Sequence, residues 1–87
     1  MFDDLNREIF SGGQTIFKDG DGGDCAYLIE EGVVEIFVLD QDRECRIGLM
    51  EKGEMFGEVA LIDHRPRTAT IRALEKTVLI PITRELM

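Results

Sequence analysis

The 87-residue chain has no tryptophan, one tyrosine and no long apolar run. Its longest apolar stretches, such as VALI and VLIPI, fall far short of the roughly 20 residues that a membrane-spanning helix needs. Its first ten residues contain no basic segment followed by an apolar one, so they do not resemble a secretion signal. We therefore expect a cytoplasmic protein without membrane contact.

Cysteine is also scarce, with only Cys25 and Cys45. Two cysteines without an export signal favour reduced thiols rather than a disulfide framework. Both lie in strand-like runs, CAYLI and CRIGLM, so we predict that they are small buried side chains.

The chain lacks the residues of common catalytic and metal sites. His64 is the only histidine, too few for a β-barrel metal centre. The segment 19–30, DGDGGDCAYLIE, places acids at the first, third and last positions of a calcium loop but lacks the glycine required at the sixth. No GxSxG, Walker A or CxxC motif is present. We predict no catalytic residue and no metal.

The charge balance narrows the choice of partner. The chain has 18 acidic and 10 basic residues, a formal net charge of −8, which argues against nucleic acid. Three of its seven arginines (Arg65, Arg67 and Arg72) nevertheless lie within eight positions. Because salt screens the global field beyond about 10 Å, one well-placed arginine can still bind a small anion.

Short apolar or alternating runs separated by glycines predict an all-β sandwich or barrel. On the run after Gly32, Val34 and Ile36 share one face and Glu35 lies on the other. Turns are predicted at Gly32, at 40–42 and at 51–54, where Gly53 is left-handed. The predicted strands are 7–10, 14–17, 26–31, 33–39, 45–50, 68–73 and 77–82, and the one predicted internal helix is 58–63.

The start of that helix suggests an anion site. Gly57 lets the backbone approach a ligand, and the first amides of the helix have no intrahelical partner and attract phosphate. Arg67, after the rigid Pro66, offers a planar fork for two phosphate oxygens. Glu58 could accept a hydrogen bond from a sugar hydroxyl, so a nucleotide fits. A surface helix with salt-bridged arginines remains the alternative.

The order of these residues resembles a known family. The segment FGE-x-A-L…PR-T-A-T is similar to the phosphate-binding cassette of the cyclic nucleotide-binding domain family. YLIEEG-x-V and EKGEMFGE resemble the family's early hairpin and the approach to the cassette, and the resemblance covers nearly the whole chain. It implies a β-roll, an eight-stranded jelly-roll-like barrel with a short helix in the cassette.

The resemblance also implies the ligand contacts. Arg67 would bind the cyclic phosphate, and Glu58 would take the ribose 2′-hydroxyl. Backbone groups of the cassette would complete the cradle, and a residue of the preceding strand would be a weaker candidate for the wall beside the base. The implied positions are Gly57, Glu58, Val59, Ala60, Arg67, Thr68 and Ile47.

The function implied is a regulatory module without catalysis or cofactor, whose ligand is cAMP or cGMP. In this family a threonine at the position of Thr68 can hydrogen-bond the amino group of guanine. Threonine there also occurs in domains that respond to cAMP, and we favour cAMP as the ligand. The output domain or dimer partner would lie outside the sequence. Residues 1–87 would form one truncated domain, because a helix beginning at Thr83 has no room to form the usual C-terminal lid.

Two other interpretations stay open. A degenerate β-roll could act as a protein-interaction module without ligand, although the Glu58 and Arg67 pair argues against it. A phosphodiesterase-like enzyme would need metal ligands or a general base, which His64 alone does not supply.

Overall fold

The structure, a computed structural model, describes residues 6–22, 25–57 and 69–83. These residues contain β-strands and no helix, and so none that could span a membrane. The strands are β1 (Glu8–Phe10), β2 (Thr15–Phe17), β3 (Ala26–Glu31), β4 (Val33–Asp40), β5 (Arg43–Glu51), β6 (Met55–Phe56), β7 (Thr70–Ala73) and β8 (Thr77–Ile82).

The strands form two four-stranded antiparallel sheets. The first sheet has the order β1-β8-β3-β6 and the second the order β2-β7-β4-β5. The chain thus passes back and forth between the sheets, which is the connectivity of a jelly roll. The predicted all-β, eight-stranded roll is confirmed. The helix predicted at 58–63 and the helix start predicted after Thr83 lie outside the described residues.

Each predicted strand run contains a strand, with shifts at the ends. β5 begins at Arg43, two residues before the predicted start, and β4 continues to Asp40. The two-residue strand β6 was not predicted by the pattern of residues, because two positions are too few to show alternation. It exists because Tyr27 and Leu28 of β3 pair with it.

The predicted turns are confirmed by backbone conformation. Gly53 and Gly32 have φ of 91° and 101°. A Cβ at Gly32 would lie 2.4 Å from Thr77 Oγ1, so both the conformation and the close approach require glycine there. Gln41 and Asp42 have φ of 53° and 67°, the paired positive values of a two-residue type I′ hairpin turn.

The core lies between the sheets. Its buried cluster draws from both of them: Ile29, Val34, Phe56, Ile71 and Leu79. Each such side chain contributes about 1.5–3 kcal/mol when it is removed from water. Three aromatic rings extend the cluster, with centroids 5.4 to 6.4 Å apart: Phe17, Tyr27 and Phe56.

The prediction of two buried cysteines is wrong for Cys45, which is exposed, while Cys25 is half-buried just before β3. Cys45 lies on β5, which has one neighbour, β4, among the described strands and whose residues from Arg43 to Ile47 are all exposed. The pattern of apolar residues does not show that β5 is an edge strand of the described sheet.

Candidate functional site

The predicted site lies where the chain crosses between the sheets. Phe56 of β6 is 3% exposed and pairs with Tyr27 in the first sheet. Thr70, which begins β7 in the second sheet, is 8% exposed. Residues 58–68 connect these two buried ends. The chain therefore enters and leaves this segment from fixed points in the core.

Gly57 stands at the entry, immediately after β6. Its φ is 79°, in the left-handed region. A residue with a Cβ would lose roughly 1–2 kcal/mol in that conformation. Glycine is thus the residue that lets the chain turn at this point. Gly57 is half-buried, and its role toward a ligand stays a prediction.

The exit is held by the turn between β2 and β3. The backbone N–H of Asp19 donates to Thr70 Oγ1 at 3.1 Å. Within the turn, the N–H of Lys18 donates to Asp21 Oδ2 at 2.9 Å. The Asp21 carboxylate therefore shapes the turn that contacts the start of β7.

The other predicted contacts divide into two groups. Ile47 lies on β5 and is 62% exposed. It is the extra residue of a β-bulge, since Phe37 pairs with Arg46 and Ile36 with Gly48. The rest lie outside the described residues, so their roles stay predictions: Glu58, Val59, Ala60, Arg67 and Thr68.

Arg72, the third arginine of the sequence cluster, serves the fold. Its guanidinium donates to Glu35 from Nε at 2.8 Å and from Nη2, and to Glu44 at 3.0 and 3.2 Å. Its Cζ lies 4.6 Å from the centroid of the Phe37 ring, a cation–π contact. Glu44 and then Glu35 raise the pKa of Arg72 above its ordinary value. Its charge is thus neutralised within the second sheet.

Glu35 is the partner that the sequence did not reveal. Its side chain is 5% exposed, although alternation places it on the outer face of β4. Arg46 donates to Oε2 at 2.7 and 3.1 Å, while Arg72 occupies Oε1. The hydrogen bonds from Arg46, followed by those from Arg72, hold the pKa of Glu35 below its ordinary value despite burial. The signal available in the sequence was a single acidic residue inside a run of β-branched and aromatic residues.

These contacts tie β7 to its neighbours. Arg72 and Glu35 lie directly opposite each other on β7 and β4, and Arg46 joins them from β5. The arginine side chains cover the buried carboxylate on the outer face of the second sheet. The strand that leaves residues 58–68 is thereby locked in register. Within the described ranges, no grouping of histidine, cysteine and acidic side chains could hold a metal ion.

Comparison with known proteins identifies relatives of the whole roll. The family model "Cyclic nucleotide-binding domain" matches residues 7–87. The cAMP-dependent protein kinase type II regulatory subunit of Drosophila melanogaster is 42% identical over 84% of this chain and 19% of its own length. The cGMP-dependent protein kinase of Toxoplasma gondii is 44% identical over 92% of this chain and 8% of its own. The chain thus spans under a fifth of these relatives.

A solved structure gives the matching architecture. The EAL enzyme Bd1971 in its halfsite-occupied form has a TM-score of 0.92 and 40% identity over 94% of this chain and 74% of that chain. The same enzyme has been solved with cAMP and with cGMP, each with a TM-score of 0.87 and 41% identity over 93% of this chain and 22% of that chain.

Proposed function

We propose a function from the premise that this chain belongs to the cyclic nucleotide-binding domain family. The protein is a non-catalytic sensor that binds a cyclic nucleotide, with cAMP as the favoured ligand and cGMP as the second. It reports occupancy to an output domain or a dimer partner in a cytoplasmic setting. Ligand binding would act by shifting the populations of conformations that the output domain distinguishes.

One observation carries this proposal: the family match runs from residue 7 to residue 87 and therefore includes the whole segment FGE…PRTAT. The arrangement around that segment supports it, because the chain turns through a left-handed glycine at its entry and is anchored by buried Thr70 at its exit. A neighbour of the same fold is known with either cyclic nucleotide bound.

The ligand contacts we propose follow from the chemistry of a cyclic nucleotide. Arg67 binds the phosphate, because a guanidinium presents two parallel N–H donors to two phosphate oxygens. Glu58 accepts from the ribose 2′-hydroxyl beside the Gly57 backbone. The backbone amides of Ala60 and Thr68, with neighbouring Val59, complete the phosphate cradle.

Ile47 is proposed as part of the wall beside the base. It is an exposed apolar side chain on the strand that precedes the proposed cassette. Covering it with a purine would remove apolar surface from water. Its position on an outlying edge strand makes this the least constrained of the proposed contacts.

Calorimetric titration with cAMP and cGMP, with 5′-AMP as the control ligand, tests the proposal. We expect a cyclic nucleotide to bind well above 5′-AMP, and the ratio of the two affinities would identify the messenger. Equal or absent binding of all three nucleotides by folded protein would favour the degenerate interaction module. Release of 5′-AMP from cAMP would favour an enzyme instead.

Arg67→Ala is the matching variant. It should lower the affinity for the cyclic nucleotide by at least about 2 kcal/mol, because the charged phosphate loses its bidentate partner. Arg65→Ala is the control and should cost much less, since the residue before Pro66 is restricted to extended geometry and is expected to face solvent. If the two variants lose the same affinity, the proposal has assigned the phosphate to the wrong arginine.

A further inference from the structure

The β5 edge, meaning the side of Arg43–Glu51 that faces away from β4, belongs to the longest edge strand of the described fold. β5 is nine residues long and ends the second sheet, with β4 as its only neighbour among the described strands. It contains no proline and no lysine, two residues that often prevent an edge strand from pairing. The backbone of Glu51, at its end, already bonds with Glu54, whereas the outward groups nearer the hairpin turn have no partner among the described strands.

The hairpin turn determines which backbone groups point outward. Asp40 and Arg43 flank the two-residue turn and pair with each other. In such a hairpin the flanking pair exchanges hydrogen bonds, and the pairs that do so alternate along the ladder. Arg43 and Cys45 therefore bond toward β4, whereas Glu44 and Arg46 direct their N–H and C=O groups to the β5 edge.

These two outward residues are also oppositely charged and lie on the same face. Glu44 contacts Arg72 at 3.0 Å, and Arg46 contacts Glu35 at 2.7 Å, so both side chains stand over the outer face of the second sheet. Each remains about half exposed, at 52% and 53%. Both can therefore make a further contact with a partner.

From this geometry we propose that the β5 edge pairs antiparallel with the β5 edge of a second copy, about a twofold axis at Cys45. This register places each Glu44 opposite an Arg46 of the other copy, in two hydrogen-bonded pairs of opposite charge. Shifting the axis to Glu44 or to Arg46 keeps the hydrogen bonds in phase but sets like charges against each other. Charge complementarity thus selects one register.

The bulge at Ile47 sets the length of the ladder. β5 departs from regular alternation there, so the pairing covers residues 43–47. Ile47, opposite Arg43 of the second copy, is the last position of the ladder. Such a short ladder gives a weak, concentration-dependent dimer with an isologous interface.

The proposed axis also makes the dimer easy to trap. The two Cys45 residues form a non-hydrogen-bonded pair, whose Cα atoms are about 4.5 Å apart. A disulfide spans roughly 4.4–6.8 Å between Cα atoms, so mild oxidation with copper phenanthroline can link them. Cys45 is exposed and accessible to the reagent.

The experiment compares trapping across a charge swap. The 87-residue chain is oxidised, and the cross-linked cysteines are identified by mass spectrometry under non-reducing conditions. Glu44→Arg and Arg46→Glu should each reduce the Cys45–Cys45 dimer by about tenfold or more, since both symmetry-related pairs become repulsive. An equimolar mixture of the two variants should restore it, because every pair in the mixed dimer is again of opposite charge.

Glu51→Arg, at the far end of β5 beyond the bulge, is the control and should leave trapping unchanged. Thermal unfolding of each variant shows that it is folded before it is compared. If Glu44→Arg forms as much cross-linked dimer as the unaltered chain, the cross-link arises from random collision and the proposal is overturned. Failure of two folded variants to trap each other in the mixture would overturn it as well.

Discussion

Replacing Glu35 by glutamine tests whether the buried carboxylate stabilises the second sheet. Glutamine keeps the shape of the side chain but removes the charge that two arginines share. Its carbonyl oxygen can accept from one arginine, while its NH₂ group then faces the other arginine's donors. The change therefore replaces a neutralised cluster with an excess positive charge over a buried amide.

The magnitude follows from the exposure of the two arginines. Arg72 is 29% exposed, and its charge-assisted bonds to Glu35 fall in the range of about 1.5–3 kcal/mol. Arg46 is 53% exposed, so solvent screening reduces its contribution to about 0.5 kcal/mol. We expect Glu35→Gln to lower the free energy of unfolding by about 2–3 kcal/mol, a large share of the stability of a domain of this size.

Calorimetry or circular dichroism during heating measures this loss. For a domain of this length, about 2–3 kcal/mol corresponds to a fall in Tm of about 10–20 °C. Arg46→Gln is the matched control and should cost about 1 kcal/mol or less, because water replaces its donors at the exposed side of Glu35. If Glu35→Gln costs no more than Arg46→Gln, or raises Tm, the buried carboxylate does not hold the sheet.

Three further predictions concern the same fold. The pKa of Glu35 is held below its ordinary value. The stabilising contribution of this carboxylate is therefore complete above about pH 4.3 and is lost as the pH falls through the lower folded-state pKa. The Tm difference between the unaltered chain and Glu35→Gln should stay constant from neutral pH to pH ~5 and shrink only in stronger acid. Gly32→Ala should lower the free energy of unfolding in denaturant by at least about 3 kcal/mol, because the new Cβ is strained at φ 101° and would lie 2.6 Å from the carbonyl oxygen of Lys76. Gly13→Ala, at φ 89° with nothing within 4 Å, is its control and should show only the conformational cost of about 1–2 kcal/mol; equal costs would mean that the close approach at Gly32 is relieved without penalty. Leu79→Ala, at a position with 0% exposure, should cost about 2–5 kcal/mol in the same measurement, and Leu39→Ala, at 61% exposure, should cost far less.

The positions of the longer strands along the chain were accessible from the sequence because they depend on local signals. Glycines with positive φ mark the turns at Gly32 and Gly53, and apolar alternation marks the longer strands. The number of strands and the jelly-roll architecture came from the resemblance to a family, since two-residue β6 carries no periodic signal. Its pairing with Tyr27 and Leu28 is a long-range contact that the local sequence does not encode.

Side-chain environments depend on such long-range contacts more strongly. Alternation correctly placed Glu35 on the face of β4 opposite Val34, but it did not predict burial. The arginines that cover Glu35 lie 11 and 37 residues away along the chain, on β5 and β7. The exposure of Cys45 has the same origin. The apolar pattern of a strand does not show whether a second strand lies beside it.

Of the three arginines that cluster in the sequence, Arg72 lies among the described residues, and its contacts show what it does. Arg72 faces Glu35 across the β4–β7 ladder, and its guanidinium also meets Glu44 and the ring of Phe37. Its charge is therefore used to fix β7 and is a poor candidate for a phosphate. The cation that we propose for the ligand, Arg67, comes instead from residues 58–68, which join the buried ends at Phe56 and Thr70. It follows that neutralising Arg72 should lower stability in proportion to its contacts, whereas neutralising Arg67 should lower affinity with little change in Tm. Separate losses would show that the proposed anion site does not depend on the ion pairs that hold the second sheet.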